Sequence, residues 1–216
     1  MGSVSQFHFY TGLHLVKLLG IKAKNPRELL EGIKKVPASS IYYHTHRFIQ
    51  QHHYLSPEPP NDFAYWLSNI LNLEEIGEAI ASVDTVRFRK LEDLRTEFIT
   101  ILQNYTKNEK HLPDCSEGHE FHFMSCITVV VPTNYIARNL KEFVEIINNI
   151  SVNSLYFHIF EARLRLQRDE NDFSAWLKSI GEDELAKQIS RLDPYNITLE
   201  GLRRKIIDFA KKYAKH

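Results

Sequence analysis

The stretch FHFYTGLHLVKLLG, residues 7–20, decides how this chain folds, and it reads two ways. Its opening Phe-His-Phe alternates apolar and polar side chains, the period of an extended strand. Its continuation, GLHLVKLLG, suits strand or helix. Phe-His-Phe returns at residues 121–123, where the β-branched run CITVVVP follows it and favours a short strand. The two Phe-His-Phe segments are expected to pair with each other across a pseudo-twofold axis.

The recurrence extends outward from this pair. NPRELLEGI from Asn25 is matched by NLKEFVEII from Asn139, and SIYYH from Ser40 by SLYFH from Ser154. NDFAYWLSNI from Asn61 returns as NDFSAWLKSI from Asn171, and LEDLRTEFI from Leu91 as LEGLRRKII from Leu199. The blocks keep one order, and roughly a third of the paired positions are identical, which marks an internal repeat. The expected fold is mainly α: two tandem pseudo-symmetric helical repeats of about five helices each, with a small amount of β from the Phe-His-Phe segments. The first repeat is expected over residues 1–107, a polar linker with Pro113 and Gly118 over 108–119, and the second repeat over 120–216.

Local signals place the helices. In NPRELLEGIKKV, Asn25 suits a cap, Pro26 the first helical position and Glu28 a capping-box carboxylate. SIYYHTHRFIQQHHYL, residues 40–55, reads as a helix that must stop before Pro57, Pro59 and Pro60. NDFAYWL and NDFSAWL each open a further helix. Asp62 and Asp172 are read as its caps, and Trp66 and Trp176 as core residues beside Phe63 and Phe173.

Composition narrows the classes of function. The 216 residues are 43% hydrophobic and 12% aromatic, enough for a core. Twenty-seven basic residues balance twenty-seven acidic ones, so no nucleic-acid partner is expected. No apolar run approaches the roughly 20 residues that span a bilayer, and no signal peptide is read at the start, so no membrane partner is expected. Two cysteines suit a reducing, cytoplasmic setting. No phosphate-cradling glycine loop, nucleophile elbow or zinc-protease motif occurs. No cofactor is implied, and a monomer or homodimer is expected.

SIYYHTHRFIQQHHYLSPEPPNDFAYW and SLYFHIFEARLRLQRDENDFSAW, together with NPRELLEGI and DELAKQI, resemble an uncharacterised prokaryotic family that carries a domain-of-unknown-function label. Its pattern is a histidine after an aromatic pair, then Asn-Asp-Phe-x-x-Trp, then a helix with Glu-Leu-Ala. The resemblance covers nearly the whole chain. It implies bacterial or archaeal origin and a neighbourhood of sugar-transferring enzymes, and it assigns no catalytic residue or ligand.

The recurrence sorts the eleven histidines. His8 matches His122, and His44 matches His158, whereas His46, His52 and His53 belong to the first block alone. On a helix His44, Phe48 and His52 stack at a spacing of four, while His46 and His53 share another face. His44 and His158 read as packed imidazoles bonded to a carboxylate or carbonyl, with Asp62 and Asp172 as partners. The ligand-binding candidates are Tyr42, His44, His46, His52, His53 and Asp62, with Tyr156, His158 and Glu161. No metal is favoured. Cys115, His119, His122 and Cys126 have zinc-ligand residue types at a non-standard spacing.

Three functional readings follow. The first is a non-enzymatic module that binds a protein or small ligand, linked to carbohydrate metabolism through the family resemblance. The second is an enzyme with His44 or His46 as base and Asp62 orienting it. The third is a histidine-based metal protein.

Overall fold

The computed structural model describes residues 6–51, 59–109, 111–167, 170–192 and 197–213, except the side chain of Leu166. The ambiguous stretch is strand throughout. β1 runs Phe7–Ala23 and β2 runs Phe121–Ala137, seventeen residues each, and they pair as a two-stranded antiparallel sheet. In both, the first and third residues are buried and the histidine between them is exposed, as the two-residue strand period demands. The Phe-His-Phe segments do not pair with each other. The Thr133 hydroxyl donates to the Phe9 carbonyl at 2.8 Å, so Phe9 lies beside a residue well beyond Phe123.

The chain divides into two compact units. Among the described residues, the first takes those up to Leu13 and from Thr128 onward, and the second those from His14 to Ile127. This overturns the expected two tandem helical repeats of about five helices each, although the protein is largely helical. The physical reason is the phenylalanines. In the first unit Phe7 and Phe9, from the start of the chain, pack on helices from its far half. Phe7 lies 5.3 Å from Phe173 and 5.7 Å from Trp176, and Phe9 stacks on Phe143 at 6.1 Å. In the second unit Phe121 stacks on Phe63 at 5.3 Å and meets Trp66 at 5.8 Å. There Phe123 presses on the helix at Gly32, where a Cβ would come within 2.2 Å of the ring. Each unit thus takes its inner strand face from the other half of the sequence, and β is a structural layer instead of a minor addition.

The helices start as their residues dictate. Asn25 accepts from the Glu28 amide at 2.9 Å, and Glu28 accepts in turn from the Lys24 amide at 2.8 Å. Asn139 and Glu142 repeat this arrangement, with the Arg138 amide as donor. At the Asn-Asp helices the asparagine is the cap, which corrects the aspartate assignment. Asn61 accepts from the Ala64 amide at 2.9 Å, and Asn171 from the Ser174 amide at 2.8 Å. Only the residue one step before the first helical position can fold its side chain back onto the third helical amide. Asp62 and Asp172 follow it and are left to bond elsewhere. The last carbonyls of the helices Pro26–Lys35 and Leu140–Asn149 are met by buried arginines. Arg95 donates to Ile33 and Val36 at 2.8 and 2.6 Å, and Arg203 donates to Ile147 at 2.5 Å. No described helix is long and apolar enough to cross a membrane.

The histidine-bearing helices are interrupted by π-helical turns, Tyr43–Arg47 and Phe157–Glu161. The wider turn still leaves positions four apart near one face, and His44 and Phe48 are both buried. His44 and His158 sit in these turns, each nearly solvent-free. His44 Nδ1 lies 2.7 Å from Asp62 Oδ2, and its Nε2 accepts from the Met124 amide of β2 at 2.9 Å. His158 Nδ1 lies 2.7 Å from Asp172 Oδ2, and its Nε2 accepts from the Tyr10 amide of β1 at 2.8 Å. A backbone amide only donates, so Nε2 must carry a lone pair and Nδ1 the proton. Each ring is therefore a neutral clip that joins a helix carboxylate to a strand amide.

The second unit also buries His46, which stacks on Tyr42 at 5.7 Å and lies 3.0 Å from the Thr45 hydroxyl; the His14 ring is 5.9 Å from that of Tyr42. Burial pushes His14 and His46 down to about 4, with Arg47 adding to the effect at His14. Burial likewise holds His158 below its usual value, against the opposing pull of Asp172.

Two outcomes are expected. His44→Ala strands the Met124 amide and the Asp62 carboxylate and opens a cavity. It should cost about 3 kcal/mol in urea unfolding, and a loss below about 0.5 kcal/mol would contradict the clip. In the unfolded chain His14, His46 and His158 titrate near 6.5, so below that pH the unfolded state binds protons that the folded state does not. Stability should be full above pH 6.5 and fall as pH drops toward 4. His46→Phe should flatten that fall, read as a smaller difference between urea midpoints at pH 7 and pH 5.

Candidate functional site

The first unit contains an open cavity of about 620 Å³. The strands supply much of its wall: Phe7, His8 and Tyr10 come from β1 and Val130 from β2. Strand alternation turns Phe7 toward the core while His8 and Tyr10 keep solvent contact. The π-helical turn adds Phe157 and His158. The helix Ala162–Leu166 adds Arg165, and the helix Asp172–Ser179 adds Asp172 and Ala175.

The polar end converges on one oxygen. Asp172 Oδ2 accepts from His158 Nδ1 at 2.7 Å and from Arg165 Nη2 at 2.6 Å. The Arg165 guanidinium also lies 4.7 Å over the Phe157 ring, a cation–π contact. The pair is graded in depth: the Asp172 side chain is 16% exposed and that of Arg165 is 40%. Both nitrogens of His158 are committed to the clip, so the ring has no lone pair for a substrate proton. Arg165, Asp172, His8 and the Tyr10 phenol are the charged or titratable groups left to meet a ligand.

The sequence candidates scatter over the fold. His158 lines the cavity. Tyr156 and Glu161, on the same stretch of helix, are buried in the first unit. In the second unit His44 pairs with Asp62, and Tyr42 and His46 are stacked in the interior. His52 and His53 lie outside the described residues. Cys126 is buried, Cys115 half-buried, and His119 and His122 exposed; among the described residues no group of three or more His, Cys, Asp or Glu comes together to hold a metal. Sequence reasoning missed Phe7, His8, Tyr10, Val130, Arg165 and Ala175 as a wall. One signal was present: Arg165 stands where the earlier block has Gln51, a new cation beside a retained His and Asp.

No curated protein sequence matches the chain. Among solved structures it is similar to OrfY from Thermoproteus tenax, with a TM-score of 0.79 and 25% identity over 99% of this chain and 98% of that one. Residues 4–211 match DUF5752, a family of unknown function. With nearly its whole length matched, the protein belongs to the DUF5752 family.

Proposed function

We propose that this protein is a non-enzymatic binding module whose ligand site is the open cavity of the first unit. The observation that carries the reading is the cavity itself: at about 620 Å³ it falls in the range of small-molecule sites, with a mainly apolar wall and a few convergent polar groups. The histidines favour binding over the enzymatic alternative. A general base needs a free lone pair facing its substrate. In His44, as in His158, that lone pair accepts a strand amide, and Asp62 and Asp172 hold the opposite nitrogen. The ring- and chain-lined wall of Phe7, Tyr10, Val130 and Phe157 suits a ligand with an apolar body better than a bare sugar.

The neutral fluorophore N-phenyl-1-naphthylamine tests the reading. Its emission should rise on binding the native protein. Ala175→Trp, which fills the cavity from a helix surface, should weaken binding at least about tenfold, or about 1.4 kcal/mol, with the circular dichroism spectrum unchanged. Absence of binding, or equal binding by the filled variant, would overturn the proposal.

A further inference from the structure

We infer that the ligand of this cavity is an amphiphilic anion, whose carboxylate, phosphate or sulfonate is received by Arg165 while its apolar body lies against Phe7, Tyr10 and Val130. The inference rests on the cavity being the ligand site and names the chemistry that the site selects.

The argument starts from the guanidinium. Arg165 has five N–H donors, and its one hydrogen bond among the described residues is that from Nη2 to Asp172. Its Cζ lies 4.7 Å over the Phe157 ring, and the bond to Asp172 leaves further N–H donors of a fork that matches an oxyanion with two parallel bonds. Arg165 is the outer member of its ion pair, so a ligand entering from solvent meets the cation before the carboxylate. Asp172 is the carboxylate in the cavity wall, and its Oδ2 already accepts two donors. A cationic ligand would meet the Arg165 charge first and would be repelled by it on the way to the carboxylate. An anionic one needs only to share that charge. Solvent already reaches the Arg165 end of the pair and screens it, so sharing costs little. His8, the other basic side chain of the wall, carries no negative charge in either of its forms.

Two fluorophores with one aromatic body separate charge from shape: 8-anilinonaphthalene-1-sulfonate, an anion, and N-phenyl-1-naphthylamine, which lacks the sulfonate. Native protein should bind the sulfonate about tenfold more tightly, and the preference should shrink as salt is raised. Arg165→Met keeps the aliphatic stem and should abolish the preference while leaving the neutral dye bound. Arg165→Lys, which keeps the charge without the fork, should restore part of it. If the neutral dye stays sensitive to Ala175→Trp but Arg165→Met leaves the ratio of affinities unchanged, the anion inference fails and the cavity reading stands. If neither dye responds to Ala175→Trp, both fail.

Discussion

Each unit is closed by one buried bond pair: a neutral imidazole that gives its Nδ1 proton to a helix-start carboxylate and takes a strand amide on Nε2. A strand laid on helices leaves amides that point at side chains, and a buried amide without a partner costs about 1–3 kcal/mol. The His44 and His158 rings satisfy the Met124 and Tyr10 amides, and their flat faces continue the aromatic packing, with His44 4.7 Å from Phe121 and His158 5.0 Å from Phe7. One residue type therefore serves both polar satisfaction and apolar contact. The asparagine caps matter to the same bond. By holding the helix start, Asn61 and Asn171 fix the next residue, the aspartate, at hydrogen-bonding distance from the ring.

The candidate site is built out of this scaffold. In the first unit the clip brings Asp172 to the edge of the core, and Arg165 reaches the same oxygen from outside. Asp172 thus belongs both to the clip and to the cavity wall. The ring behind it is committed to the fold, and the guanidinium in front of it is open to solvent. Under the proposed binding reading, the buried His-Asp pair belongs to architecture and the cation beside it to recognition.

Much of the local structure was legible in the sequence. Asn25 and Asn139 cap where the Asn-Pro and Asn-Leu starts place them, and the Asp partners of His44 and His158 could be named from their retention in both blocks. The rest was not legible for physical reasons. Matching blocks report local environment, and Phe7–Phe9 and Phe121–Phe123 present the same buried face to either set of helices. Nothing in the alternation says which set each will cover. The strand over residues 13–20 was ambiguous because its apolar residues follow no single period: Leu13, Leu15, Val16 and Leu18 are all exposed. The π-helical turns leave no compositional mark, so SIYYHTHRF and SLYFHIFEA read as plain α-helix. Arg165 was visible as a difference between blocks, but its meaning needed Phe157 and Asp172 to be brought to it.

The central claim concerns where one proton sits and what the opposite nitrogen accepts. Nitrogen-15 NMR of histidine-labelled protein at neutral pH reads both directly. The structure predicts the Nδ1–H tautomer for His44 and His158, with a trans-hydrogen-bond coupling from the Met124 amide to His44 Nε2 and from the Tyr10 amide to His158 Nε2. An Nε2–H tautomer or an imidazolium at either ring, without that coupling, would contradict the account.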